Sequence, residues 1–275
     1  MAKESGRRWS PAAGAATATS PEASRGDRRG QAYGQPFGAT ERKDAWWLVP
    51  LAQATGLTLL GIYATWSALQ GDHYEFGNYL SPFYSPYVHP DWLPNFISPA
   101  LLILIFPLGF RATCYYYRKA YYRAFFADPT ACAVGEPWKG YRGEKSFPFI
   151  LQNLHRYFLY AALVFLVFLW WDVIKAFTFD GRFGIGGGSL AILFNTSLLS
   201  LYTFSCHSLR HLIGGNVDCF SCAVAGGPRR QGWLGVSWLN EHHMAWAWWS
   251  LFAVCFADFY VRMCSMGIFH DPRFL

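Results

Sequence analysis

The sequence predicts an all-α integral membrane protein built as a bundle of five transmembrane helices. Hydrophobic residues make up 53% of the 275-residue chain and charged residues only 15%, well below the roughly 25% that is usual in soluble domains. The apolar residues are gathered into five blocks, each close to the ~20 residues that cross a ~30 Å hydrocarbon core. Tryptophan and tyrosine concentrate at the ends of these blocks, as they do at membrane interfaces. These observations favour a membrane bundle over a soluble helical protein.

The elements follow one another in a simple order. Residues 1–44 are rich in Ala, Gly, Ser, Pro and Arg, and such a segment buries too little apolar surface to order itself without a partner. The transmembrane domain takes residues 45–268, and 269–275 form a short outer tail. Its five predicted spans cover residues 46–69, 95–110, 149–174, 190–213 and 244–266. The second span is expected to continue as a helix through the aromatic and basic residues 115–123.

The distribution of Lys and Arg predicts how the bundle is oriented. Eighteen of them lie on one side of the predicted bundle: in the tail, in the connection between spans two and three, and in the connection between spans four and five. Four lie on the opposite side. The excess of positive charge places the N-terminus in the cytoplasm and the C-terminus outside. The basic residues flank apolar blocks instead of forming one face. The net charge of +6 therefore indicates contact with membrane lipids and no nucleic acid.

A cluster of cysteine and histidine residues joins the fourth apolar block to the fifth. Three cysteines and four histidines fall within residues 206–243. Thiolate and imidazole are strong ligands of iron and zinc, and a C-x-x-C pair can bring two sulfurs to one metal. Ionisable residues inside a membrane are functional by default. The predicted metal ligands are Cys219, Cys222, His207, His211, His242 and His243.

The residue types alone leave three kinds of site open. Two cysteines and two histidines match a Rieske-type [2Fe–2S] centre, in which His replaces Cys on one iron, although the usual Rieske pair of C-x-H and C-x-x-H loops is missing. The same ligands match a structural Cys2His2 zinc site, as a transporter or scaffold could carry. Haem b is the third possibility, with two facing histidines drawn from His155, His207 or His211, and His243.

A family resemblance rests on the run Cys206-His207-Ser-Leu-Arg-His211-Leu, followed by Asp218. Set among five predicted spans, this run resembles the cytochrome b-type membrane-anchor subunit of succinate dehydrogenases and fumarate reductases. In that family an H-x-x-x-R-H-L-x-x-D-like pattern marks the quinone and haem region, and here the pattern is compressed. The clustered cysteines resemble the variant whose anchor carries a membrane-embedded Rieske-like [2Fe–2S] cluster in place of haem.

The resemblance implies a subunit of a bacterial plasma-membrane complex. Its partners would be a flavoprotein, which holds FAD and the succinate site, and an iron–sulfur subunit, both cytoplasmic. The chain would pass electrons to menaquinone or ubiquinone and would contain no succinate-oxidising site. A quinone needs an apolar slot with a few polar groups aimed at its carbonyl oxygens. The predicted wall residues of this slot are Arg210, His155, Arg156, Trp246 and Ser208.

Overall fold

The computed structural model describes residues 36–94, 96–138, 147 and 149–275. Most of the predicted tail, the first residue of the second predicted span (Asn95) and three basic residues of the connection after it (Lys139, Arg142 and Lys145) lie outside the described residues. The described end of the tail runs beside residues 132–135. There Thr40 Oγ1 donates to the Ala133 carbonyl at 2.7 Å.

The described residues form a helical bundle, which confirms the predicted fold class. Three segments are long and apolar enough to cross a membrane unbroken, and two more qualify as bent helix pairs. The unbroken spans are α1 (Leu48–Gln70), α4 (His155–Ala176, preceded by the 3₁₀ turn Phe149–Leu154) and α8 (His243–Ser265). The bent spans are α2 (Ala100–Ala112) with α3 (Tyr115–Tyr121), and α5 (Gly187–Phe204) with α6 (His207–Arg210).

The two bends are the main departure from the predicted spans. The helix axis turns by 79° between α2 and α3 and by 54° between α5 and α6. The second span was expected to continue as a helix through residues 115–123, and the chain is helical there, but only after a sharp bend. Likewise, His207 and His211 do not continue the straight helix of the fourth span, because that helix ends at Phe204 and restarts in a new direction. Each new helix ends in a π-helical turn, Tyr122–Phe126 after α3 and His211–Gly215 after α6.

A further helix, α7 (Gly226–Glu241), lies in the region that was expected to be a loop between the last two spans. Pro228 falls in its first turn, where the missing N–H costs no hydrogen bond. A short 3₁₀ turn, Phe220–Cys222, precedes it. The helix fills the space between the end of the fourth span and the start of α8.

Two small hairpins and a 3₁₀ turn, Pro82–Tyr84, close the end of the bundle opposite the bends. We call this end distal and the end with the bends proximal. The hairpins pair β1 (Glu75–Phe76) with β2 (Tyr79–Leu80), and β3 (Thr178–Phe179) with β4 (Arg182–Phe183). The C-terminal tail joins this end through a bridge between Arg273 and Gly186.

The helices pack closely enough to require glycine at one position. A Cβ on Gly109 of α2 would overlap the ring of Phe158 on α4. This contact brings α2 against α4 about one turn before the first bend.

A buried polar network holds the distal half of the bundle. Asp258 of α8 is fully buried and accepts hydrogen bonds from Tyr63 at 2.6 Å, from Ser67 at 2.7 Å and from Ser81. The Arg262 guanidinium lies one turn away, with Nε 3.7 Å from the carboxylate and Nη2 2.7 Å from Ser67 Oγ. Each charge therefore has an opposite charge and hydrogen-bond partners, as buried ions require.

Candidate functional site

The two bends each place one cysteine inside the proximal end of the bundle. Cys114 and Cys206 have extended backbones, with ψ of 130° and 135°, which ends the first helix of each pair. Their carbonyls then accept from the N–H groups of Arg118 at 2.9 Å and Arg210 at 3.0 Å, which starts the second helix. Both cysteines are only 1% exposed.

The bends come from a repeated sequence pattern. Residues 110–118 and 202–210 follow the same pattern, aromatic-x-x-Ser/Thr-Cys-x-x-x-Arg, where x is any residue. The aromatic residues are Phe110 and Tyr202, and each lies one helical turn before its cysteine. The proximal end is therefore built from two equivalent halves.

Two histidines bring the halves together. His155 is the first residue of α4 and His243 the first of α8, so both helices begin at the end of the bundle where the cysteines lie. Nε2 of His155 is 3.1 Å from the sulfur of Cys206. Nε2 of His243 is 3.4 Å from the sulfur of Cys114. We call these four residues the Cys/His centre.

Hydroxyl groups set the orientation of both imidazoles. Thr113 Oγ1 lies 3.0 Å from Nδ1 of His155, and Ser205 Oγ lies 2.6 Å from Nδ1 of His243. Each hydroxyl donates its own hydrogen to a main-chain carbonyl of the preceding turn, at 2.7 Å and 2.9 Å. The hydroxyl oxygen is then left to accept from Nδ1–H, so the lone pair of each imidazole is on Nε2, facing a sulfur.

Aromatic rings and one arginine surround the centre. Phe110 stacks on His155 with ring centroids 4.7 Å apart, and Tyr202 stacks on His243 at 5.0 Å. The guanidinium carbon of Arg111 lies 4.8 Å from the centroid of the Tyr202 ring. Aromatic rings thus cover one face of each imidazole, with a positive charge beside the centre, and such low-polarity surroundings strengthen electrostatic effects.

A cavity of about 270 Å³ opens beside the centre. Its lining includes Cys114, His155 and His243 and, beyond the centre, Gln152 and Ser208. The cavity therefore combines potential metal ligands with neutral hydrogen-bonding groups.

Comparison with known proteins identifies the family. The family model described as actinobacterial succinate dehydrogenase subunit SdhC matches residues 48–267, which include both bends and all four residues of the centre. The chain belongs to this family. A chain of the solved structure named "Mycobacterium smegmatis Sdh1 complex in the apo form" is similar at 43% identity, with a TM-score of 0.78, over 88% of this chain and 96% of that one. No curated protein sequence matches.

The SdhC assignment confirms the predicted membrane anchor and its place in a succinate dehydrogenase. It also confirms a multi-pass protein of the bacterial membrane. The Rieske-like cluster, the haem alternative, the quinone wall and the cytoplasmic N-terminus are finer statements, and these stay predictions.

The six predicted metal ligands of this SdhC chain are not gathered at one point. Within the part of the chain that the structure describes, no group of three or more His, Cys, Asp or Glu side chains is arranged to hold a metal ion. Cys219 and Cys222 are exposed and joined by a disulfide, so neither offers a free thiolate. His211 faces Arg156, with Nδ1 3.5 Å from the guanidinium.

The remaining predicted ligands divide between three places. His242 is exposed and lies against Trp238 on α7. His207 is exposed and lines the cavity, and His243 alone belongs to the Cys/His centre. The cause of this scatter is the geometry of the proximal end, where the second bend and α7 separate residues that are close in sequence.

The structure also distributes the five predicted quinone-wall residues. Ser208 and His155 line the cavity. Trp246 lies one turn after His243, and its buried indole N–H has no hydrogen-bond partner among the described residues. Arg210 donates to a serine hydroxyl of α7 at 2.8 Å and covers a tryptophan ring there. Arg156 is exposed.

Sequence reasoning missed Cys114 altogether and did not use Cys206, Thr113 or Ser205 as site residues. Cys114 was hidden in a run of tyrosines and basic residues that looks like an interfacial segment. The signal that could have found it is the recurrence of aromatic-x-x-Ser/Thr-Cys-x-x-x-Arg in two spans, because a repeated cysteine environment indicates paired ligands.

Proposed function

We propose that this SdhC-family chain anchors succinate dehydrogenase in the membrane and carries electrons to quinone. The electrons arrive from the iron–sulfur subunit of the complex, which receives them from the flavoprotein that holds FAD and the succinate site. The observation that carries the proposal is the pair of Cys–His contacts, each of which joins the bend of one span to the start of an unbroken span.

We assign Cys114, Cys206, His155 and His243 as the residues that would hold a Rieske-like [2Fe–2S] cluster, in place of the set predicted from sequence. Two cysteines and two histidines are the donor set of such a cluster. Both imidazoles hold their lone pair on Nε2 because Thr113 and Ser205 occupy Nδ1–H, as outer partners of metal-bound histidines do. When bound, the cluster supplies one-electron transfer within the bundle.

The donor set supports a Rieske-like centre, in which two cysteines bind one iron and two histidines the other. No three of these side chains converge on one point among the described residues, as a single zinc would require. Haem b needs two imidazoles aimed at opposite faces of one porphyrin. Here each Nε2 is aimed instead at a sulfur.

The cavity beside the centre is the proposed quinone site. It lies against three of the four proposed ligands, so a quinone there is within electron-transfer reach of the cluster. The Ser208 hydroxyl and the Gln152 amide, both in its lining, are suited to hydrogen-bond the two carbonyl oxygens of a quinone. Trp246, predicted as a wall residue, is not part of this lining, and its indole N–H is buried without a partner among the described residues. Menaquinone and ubiquinone share this carbonyl chemistry.

We further propose that the proximal end faces the cytoplasm. Arg118, Arg156 and Arg210 lie at this end, and the positive-inside rule then places both bends and the described end of the tail on the cytoplasmic side. The iron–sulfur subunit would dock on this surface, close to the Cys/His centre.

The test is spectroscopy on the complex purified in mild detergent from cells grown with ¹⁵N-histidine and, separately, with natural histidine. Reduced wild-type complex is expected to show a [2Fe–2S] signal with nitrogen couplings in pulsed EPR, and these couplings should change with the isotope. The clusters of the iron–sulfur subunit serve as the internal reference if their couplings do not change.

Three outcomes would contradict the assignment. Zinc in the complex with no histidine-coupled iron signal would indicate a structural site. A reducible haem band in the optical spectrum would indicate the haem-binding anchor. A chain purified without a flavoprotein and an iron–sulfur protein would contradict the electron-transfer role itself.

A further inference from the structure

Arg111 breaks the equivalence of the two halves of the proximal end. It follows the aromatic residue Phe110 of the first repeat, and the matching position of the second repeat is Thr203. The repeated pattern that builds the Cys/His centre thus adds a guanidinium on one side and a neutral, buried hydroxyl on the other. The charge is not needed to make a bend, since the second bend forms without it.

Among the residues that the structure describes, the charge of Arg111 has only neutral partners. Its guanidinium donates to Tyr117 Oη at 2.7 Å, to the Ala247 carbonyl at 3.3 Å and to Ser250 Oγ at 3.1 Å. None of the ion pairs found among the described residues includes it. By contrast, Arg262 in the distal half faces Asp258. An uncompensated charge inside a membrane bundle is costly and marks a functional role.

Arg111 also lies close to one histidine of the centre. Its guanidinium carbon is 4.8 Å from the centroid of the Tyr202 ring, and that ring is 5.0 Å from the imidazole of His243. The charge is therefore within about 10 Å of the imidazole. The tyrosine between them is buried, so little water is available to screen the interaction.

We propose that Arg111 sets the reduction potential of the Cys/His centre. This inference rests on the proposed [2Fe–2S] cluster. Reduction adds one electron, received from the iron–sulfur subunit and later passed to quinone, and a fixed positive charge stabilises the reduced form. At about 10 Å and an effective dielectric constant of about 20, one charge favours reduction roughly tenfold, which is about 59 mV for one electron. Arg111 thus raises the potential without touching the cluster or the quinone.

The experiment is a redox titration of the histidine-coupled EPR signal in the intact complex. Arg111→Gln removes the charge and keeps hydrogen-bond donors, and its midpoint potential is expected to fall by about 59 mV. Arg111→Lys keeps the charge and should stay near the wild-type potential. Arg182→Gln is the matched control, because it removes an arginine charge far from the centre. Arg182 is exposed on β4, and the 22-residue helix α4, which starts at the centre, ends before it. Its potential should not change.

A second variant neutralises the charge of Arg111 while keeping the arginine in place. Ser250→Asp would place a carboxylate beside the guanidinium and neutralise it, so its potential should fall as in Arg111→Gln, whereas Ser250→Asn should not shift. An unchanged potential in Arg111→Gln or Ser250→Asp, at full signal amplitude, would overturn the role of Arg111 and leave the cluster standing. Absence of the histidine-coupled signal in wild-type complex would instead overturn the cluster.

Discussion

Nε2 of His155 lies 3.1 Å from the sulfur of Cys206, although His155 follows the first bend in the chain and Cys206 forms the second. The other pair crosses in the same way, since His243 follows the second bend and faces Cys114. Each histidine therefore joins its own half of the proximal end to the opposite half. This crossing ties four spans together at one point, and it means that loss of any one residue disturbs both halves.

Replacing either cysteine of the centre should remove the proposed cluster. Cys114→Ser and Cys206→Ser are each expected to abolish the histidine-coupled EPR signal, because a neutral hydroxyl is a poor substitute for a thiolate on iron. Each variant complex should also lose two irons and two acid-labile sulfides relative to wild type. Iron and sulfide analysis, together with EPR, checks this.

The disulfide cysteines are the matched control. Cys219→Ser and Cys222→Ser should keep the full signal and iron content, since these residues are exposed and bonded to each other. If the outcome is reversed, with the signal lost in these two variants and kept in Cys114→Ser, the ligands are those predicted from the sequence, and the assignment from structure is wrong.

The hydroxyls that hold the imidazoles should matter nearly as much as the ligands. Thr113→Val and Ser205→Ala remove the acceptor of Nδ1–H, so either ring can rotate or change tautomer. Loss of such outer partners typically costs about 10- to 100-fold in metal affinity or activity. We expect lower cluster occupancy and a shifted EPR line shape in both variants. Thr113→Ser and Ser205→Thr keep the hydroxyl and should restore the wild-type spectrum. A normal spectrum in Thr113→Val would show that packing alone orients the ring.

Much of the fold could be predicted because a membrane-spanning helix needs an apolar block of about 20 residues, which is visible in the sequence. The ends of α1 and α8 fall within about two residues of their predicted positions, since Gly71 adopts a left-handed backbone (φ 65°) that stops the first helix and His243 starts the last. The bends could not be predicted in this way. A bend at Cys114 leaves the apolar pattern intact on both sides, and only the backbone of one residue changes.

The sequence prediction and the proposed Cys/His centre lie at the same end of the bundle, but they share only His243 as a metal ligand. Closeness in sequence favoured Cys219 and Cys222 with the histidines around them, whereas the contacts of the centre join residues that are far apart in sequence. Cys114 and His243 are 129 positions apart. Such contacts depend on how helices pack, and a single sequence does not state which span neighbours which.

The buried pair in the distal half should contribute to stability rather than to electron transfer. Arg262→Met would leave the Asp258 carboxylate buried without its counter-charge, which typically costs about 3–5 kcal/mol. We expect a marked loss of thermal stability of the complex, measured by a dye-free unfolding assay in detergent, with an unchanged EPR signal in the protein that remains folded. The double variant Arg262→Met with Asp258→Leu should recover part of the loss because no buried charge remains. Equal stability of wild type and Arg262→Met would refute the pairing.

Variants of Ser208, which lines the cavity, and of Arg210, a predicted wall residue, should affect quinone reduction differently. Ser208 lines the cavity, so Ser208→Ala should remove one hydrogen bond to a quinone carbonyl, worth about 0.5–1.5 kcal/mol, and lower quinone reduction up to about tenfold. Succinate oxidation by a soluble dye should be unaffected, because that reaction bypasses the anchor.

Arg210 is held by Ser237 and Trp233 of α7, so Arg210→Leu should loosen α7 and reduce complex yield, with quinone reduction per assembled complex near wild type. The reverse result, a selective loss of quinone reduction in Arg210→Leu with Ser208→Ala unaffected, would move the quinone site from the cavity to the arginine.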